Sequence, residues 1–208
     1  MSTVARIADT IALGALWVIF SLPVFTMGAT SAAFYYAYTK CVRQRMDYSW
    51  KTFLAAFKSN FRQATRIWLL VLFLLAVALL DSYLLGQLAA GALWVNLLRA
   101  VIVLLTLACV LWGLYLFPYL SRFDVPDKAV MRNCALILLA NMPQSLLLLL
   151  LFAACALGFI CLPILNLLIP ALYMFLVNPI FEKIFRKYMR PEDQAAQALA
   201  DQETIMNP

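Results

Sequence analysis

The stretch NCALILLANMPQSLLLLLLFAACALGFICLPILNLLIPALYMFLVNPIF, Asn133 to Phe181, runs for 49 residues without a single charge. As one helix it would measure about 73 Å, more than twice the roughly 30 Å hydrocarbon core of a bilayer. It must therefore fold back, and Gly158, Pro163 and Asn166 supply the punctuation for the reversal. The same ruler works outward along the chain. Thr10 to Thr39 carries no charge, and neither does Ile67 to Leu80; Asp81 then interrupts, Ser82 to Leu98 is uncharged, and Arg99 precedes the run Ala100 to Ser121. Backbone in lipid has to satisfy its own hydrogen bonds, and no period-two alternation competes. The sequence thus predicts an all-α polytopic membrane helix bundle with five transmembrane helices, near residues 8–27, 67–86, 94–117, 144–161 and 164–182. Residues 1–190 read as one integral membrane domain and 191–208 as an acidic cytoplasmic tail.

Composition agrees. The 208 residues are 65% hydrophobic and 12% charged, against about 45–50% and about 25% in soluble domains. Fourteen of the sixteen basic residues fall between spans one and two, between spans three and four, or after span five. Only Arg6 and Arg99 fall elsewhere. By the positive-inside rule this puts the N-terminus outside and the C-terminus in the cytoplasm of a multi-pass protein. A cleaved leader at the first segment is the rival reading, but it would strand the basic loop after Thr39 outside.

Much chemistry is excluded by what is missing. There is no histidine, so a Ser–His–Asp triad, a His-ligated zinc site and the usual neutral-pH proton shuttle are ruled out. No glycine precedes lysine, so there is no Walker A loop, and no Gly-x-Gly-x-x-Gly occurs. Cys41, Cys109, Cys134, Cys155 and Cys161 are scattered through apolar segments and read as small buried hydrophobes. The expectation is a non-enzyme with no catalytic residue, no metal, no cofactor and no nucleic-acid partner.

Two segments predict cytoplasmic amphipathic helices. In Trp50 to Arg66, the side chains of Trp50, Phe53, Leu54, Phe57 and Phe61 fall within about 100° of arc, beside an arc of about 80° holding Lys51, Lys58, Arg62 and Arg66. Three uses fit this pattern: packing on the bundle, contact with anionic lipid headgroups, or docking of a partner through Trp50, Phe53, Phe57, Lys58, Phe61 and Arg62. In Asp124 to Asn141, Asp124 offers a cap, Pro126 suits a first turn, and Val130, Cys134, Ile137 and Leu138 share a face. Each helix leads into a span through a polar joint, at Phe61–Ala64 and at Met142–Ser145.

Ionisable residues at membrane depth are costly. Asp81 and Arg99 are the two candidates, expected as an ion pair near the outer face. The first span is longer than one crossing needs, and Pro23, Thr26, Gly28 and Thr30 predict a break. Gly28 and Ala32 are small residues four apart that admit a neighbouring helix, while a loosened backbone could line a cavity instead. Asn178 precedes Pro179 in span five and is placed to bond across helices. After Arg190, Glu192, Asp193, Asp201 and Glu203 make an acidic tail.

Three stretches together resemble the YesL family of small bacterial integral membrane proteins. They are Leu22-Pro23-Val24-Phe25-Thr26-Met27-Gly28-Ala29-Thr30, then Phe53-Leu54-Ala55-Ala56-Phe57-Lys58-Ser59-Asn60-Phe61-Arg62, then Tyr115-Leu116-Phe117-Pro118-Tyr119-Leu120-Ser121-Arg122-Phe123-Asp124. The resemblance covers roughly residues 7–190. It implies an accessory or assembly role beside bacterial carbohydrate importers of the ABC type, with a permease or solute-binding component as partner besides membrane lipids. A small transporter or channel, alone or as a homo-oligomer, is the alternative.

Overall fold

The computed structural model describes residues 3–43, 49–87, 93–161 and 166–189, and these are all-helical. Helix α1 (Thr3–Ser21) is followed by a single 3-10 turn, Val24–Thr26, and by α2 (Met27–Ala37), which runs into a π-helical turn at Tyr38–Arg43. The others are α3 (Ser49–Gln87), α4 (Leu93–Arg122), α5 (Asp127–Ala140), α6 (Met142–Cys161) and α7 (Ile169–Arg186). Three of them, α3, α4 and α6, are long and apolar enough to cross a membrane, whereas the apolar part of α1, Ile7–Ser21, is shorter. The acidic tail and Pro163 lie outside the described residues.

The first segment breaks where its proline predicts. Pro23 is extended, with φ −76° and ψ 111°, and the residue before a proline is steered away from helix. The chain then turns back on itself. Trp17 Nε1 donates to Ser31 Oγ at 3.2 Å and Thr30 Oγ1 to the Phe20 carbonyl at 3.2 Å, so α1 and α2 form an antiparallel hairpin with its tip at Leu22–Phe25. Thr26 Oγ1 lies 2.6 Å from the carbonyls of both Phe20 and Pro23. Threonine hydroxyls thereby satisfy helix-end carbonyls that would otherwise be left orphaned in an apolar setting.

This hairpin alters the expected topology. Ser49 Oγ donates to Asp9 Oδ1 at 3.2 Å, so α1 begins at the same end of the bundle as α3. The segment 8–27, expected as a single crossing, is instead divided at Pro23 between α1 and the start of α2, which runs back along α1. The reason is Pro23: it stops α1 at Ser21, and the Thr26 and Thr30 hydroxyls stabilise the reversal.

The joint expected at Phe61–Ala64 is absent. Helix α3 runs unbroken for 39 residues, about 58 Å, because no glycine or proline interrupts Ser49 to Leu85. The Phe20 ring meets Phe53 at 5.7 Å and Phe57 at 5.2 Å, so the aromatic stripe packs on α1. The second break falls one residue before the joint expected at Met142–Ser145, which is itself the first turn of α6. Asn141, at φ −127° and ψ 46°, separates α5 from α6, and its Nδ2 donates to the Ile137 carbonyl at 2.9 Å. At the start of α5, Pro126 rather than Asp124 holds the cap position, and Val130, Cys134, Ile137 and Leu138 are buried as their spacing predicts.

The core sits where the hairpin, the first half of α3, the end of α4 and α7 meet, around Tyr35, Phe53, Tyr115, Leu116, Phe181 and Phe185. Past Leu75 on α3 and before Cys109 on α4 only Leu85 and Val95 are buried. These two half-helices form an arm whose outer faces are apolar and uncovered.

Candidate functional site

Gly28 lets the hairpin seat against α3 and α4. A Cβ there would lie 2.6 Å from Trp68 Cβ, 2.7 Å from Phe117 Cε1 and 2.9 Å from the Ala64 carbonyl oxygen. Trp68 also donates its indole N–H to the Val24 carbonyl at 2.7 Å, tying the hairpin tip to α3. One face of the break therefore packs tightly on neighbouring helices.

Beside this seat lies a cavity of about 720 Å³. Ser21, Met27 and Ser31 form its wall on the hairpin, Trp68 and Val71 on α3, Gly113 and Phe117 on α4, Phe152 and Cys155 on α6, and Tyr173 and Val177 on α7. Trp68 and Phe117, which crowd Gly28, therefore belong to the packed seat and to the cavity wall. Polar groups in the lining are few. Ser31 is engaged by Trp17, and the Tyr35 hydroxyl donates to Glu182 Oε1 at 2.8 Å. The Ser21 hydroxyl is buried without a hydrogen-bond partner.

Beneath the cavity lies a buried polar cluster. Glu182 on α7 is 1% exposed, pairs with the Arg122 guanidinium at the end of α4 and accepts the Tyr35 hydroxyl from α2. Three elements distant in sequence are joined at one carboxylate. Rings enclose it: Tyr35 meets Phe181 at 6.0 Å, Tyr115 meets Phe181 at 5.1 Å, and Phe181 stacks on Phe185 at 5.5 Å. Asn178 is buried one turn before Glu182 and donates to Thr39 Oγ1 at 2.8 Å, while Thr39 donates to the Tyr35 carbonyl at 2.9 Å. Removing one partner from a buried ion pair leaves an uncompensated charge, so this cluster fixes α2, α4 and α7 in register.

Pro23, Thr26, Gly28 and Thr30 thus gather at the hairpin, and Asn178 joins the polar cluster behind it. Phe53 is buried and Phe57 and Phe61 are partly buried against the bundle, whereas Trp50, Lys58 and Arg62 are exposed. Lys51 Nζ lies 5.6 Å from the Trp50 ring centroid. Arg66 bridges to Asp127 at 3.1 Å, and Gln63 Nε2 donates to the Val125 carbonyl at 2.8 Å, which docks the α4–α5 turn onto α3. Asp81 and Arg99 are not joined: Asp81 is exposed and Arg99 donates to the Leu85 carbonyl at 3.4 Å. Reading along the sequence missed Arg122 and Glu182. The available signal was Glu182 itself, an acid directly after a 49-residue uncharged run and among Lys183, Arg186 and Lys187.

Among the described residues no group of three or more Cys, Asp and Glu is placed to hold a metal ion. Comparison with curated proteins and with solved structures returns no match. Residues 11–82, from α1 through the hairpin to Ser82 of α3, match the family described as "Protein of unknown function, DUF624", which corresponds to the YesL-like proteins.

Proposed function

We propose that the protein is a non-enzymatic accessory subunit of a bacterial carbohydrate importer of the ABC type, embedded in the plasma membrane. The observation that supports this most is the use made of the segment 50–66. Its aromatic face is occupied by α1, and Lys58 and Arg62 are left exposed on the adjoining side, available to an acidic protein surface. The uncovered α3–α4 arm offers apolar helix faces to a permease. The carbohydrate assignment itself comes from the family resemblance.

In this reading α3, α4, α6 and α7 cross the bilayer, the α1–α2 hairpin enters and leaves from the cytoplasmic face, and both termini are cytoplasmic. Among the described residues that topology leaves Arg99 as the one cation at the far end, in keeping with the positive-inside rule. The test is affinity purification of the full chain from crosslinked native membranes, with partners identified by mass spectrometry. Recovery of a permease pair or binding protein, reduced at least fivefold by Lys58→Glu/Arg62→Glu, is the expected result. Recovery of the chain alone, with sugar uptake unchanged in its absence, overturns the proposal and favours a stand-alone or homo-oligomeric transporter.

A further inference from the structure

We propose that the cavity behind the hairpin binds a hydrocarbon chain of fatty-acyl length. The volume, about 720 Å³, falls in the range of roughly 300–1,000 Å³ typical of sites that enclose a whole small ligand. The lining chooses between ligand classes. Its walls are aliphatic and aromatic side chains, and two of its polar groups are already engaged, Ser31 by Trp17 and the Tyr35 hydroxyl by Glu182. A sugar or a hydrated ion would leave its polar groups unpaired here, losing its hydration without replacement. Water is disfavoured too, since apolar cavities stay dry and take up apolar molecules.

The Ser21 hydroxyl has no protein partner but also no surface open to the cavity, so the accessible lining is apolar. Leu22 and Ile160, respectively 76% and 75% exposed, mark the rim between hairpin and α6. The remaining walls include α3, α4 and α6, the three helices of membrane-crossing length, so the cavity lies beside the hydrocarbon from which a chain would come. Two sources share this chemistry, a free fatty acid and the acyl chain of a phospholipid.

The experiment uses the full-length protein in phosphatidylcholine nanodiscs. One sample contains palmitic acid bearing a diazirine on its chain, and another contains phosphatidylcholine carrying the diazirine on one acyl chain. After irradiation, adducts are mapped by peptide mass spectrometry. Cavity-wall adducts on Trp68, Phe117, Phe152 or Cys155 are expected, from the first probe if the ligand is a free fatty acid and from the second if it is a bilayer lipid. Gly113→Leu projects a side chain into the cavity, where a Cβ meets only Val71 Cγ1, at 3.7 Å. It should cut wall adducts at least fivefold while adducts on outward residues such as Leu104 and Leu105 stay constant, which also reports that the fold persists. Ala156→Phe fills the same space from α6 should the first variant fail to fold. Adducts confined to outward residues, or wall adducts indifferent to both filling variants, would overturn the proposal.

Discussion

Substituting Gly28 by alanine tests the seat of the hairpin directly. The new methyl carbon would lie 2.6 Å from Trp68 Cβ, 2.7 Å from Phe117 Cε1 and 2.9 Å from the Ala64 carbonyl oxygen. Carbon atoms rest at about 3.5–4.0 Å, so α2 has to withdraw from α3 by about 1 Å. Phe117 can swing aside, but the Ala64 carbonyl and the Trp68 Cβ are fixed to the α3 backbone and cannot. Overpacking of this kind costs about 1–3 kcal/mol, and the upper half of that range applies because rigid atoms are involved. Alanine regains about 0.5–1 kcal/mol of helix propensity, leaving a net loss of about 2 kcal/mol. Gly113→Ala is the internal control. Its Cβ meets only Val71 Cγ1 at 3.7 Å, so the propensity gain stands alone. Unfolding of both variants in detergent, followed by circular dichroism against a denaturing-detergent titration, should place Gly28→Ala below wild type and Gly113→Ala at or above it. A Gly28→Ala protein as stable as wild type would refute the tight seat and the hairpin built on it.

Three further outcomes follow from the same contacts. Glu182→Ala should destabilise the protein by about 3–5 kcal/mol, because Arg122 is left buried without its counter-charge; the double variant Arg122→Met/Glu182→Leu should recover most of that loss in the same titration. Phe53→Ala should cost about 3–5 kcal/mol and Trp50→Ala less than about 0.5 kcal/mol, since the first is fully buried and the second is 53% exposed; equal costs would place the stripe elsewhere. In intact cells, in a Cys161→Ser background that removes the exposed native thiol, a membrane-impermeant maleimide should label Asn96→Cys at the start of α4 and leave Lys58→Cys unlabelled until the cells are opened. Native Cys134 should stay silent in both conditions, because it is fully buried and burial pushes its thiol pKa up; labelling of Lys58→Cys in sealed cells would invert the topology.

Composition and punctuation made much of the helix content legible. The uncharged runs locate the helices because lipid leaves the backbone no other solution, and Pro23 and Asn141 mark breaks through local backbone preference alone. What stayed hidden were relations between elements. The break at Pro23 was readable, but its angle was not: the reversal depends on Thr26 and Thr30 reaching Phe20 and on a neighbouring helix that accepts Gly28. The charge pattern counted Arg122 and Lys183 alike as surface cations, yet Arg122 is turned inward by a single acid 60 residues away. Amphipathicity in 50–66 announced a buried face without saying what buries it. The partner is Phe20, on a segment expected to cross the membrane rather than fold back.

Under the proposed function, the continuity of α3 favours a protein partner over lipid contact for its basic row. A helix lying in the interface needs its apolar face in lipid and its cations at one depth. Here the apolar face is packed on α1, and the helix runs on without a bend marker into an apolar half of membrane-crossing length. Lys51, Lys58, Arg62 and Arg66 are therefore stacked along the axis, spread over about 22 Å. Arg66 stands nearest the apolar half and is already bound to Asp127. At physiological salt, attraction to headgroups fades over about 8 Å, so the cations farther down the helix lie beyond their useful reach. With α3 across the bilayer as proposed, such a row of cations is matched by an acidic face that rises alongside it, which a protein partner can present and a lipid surface cannot.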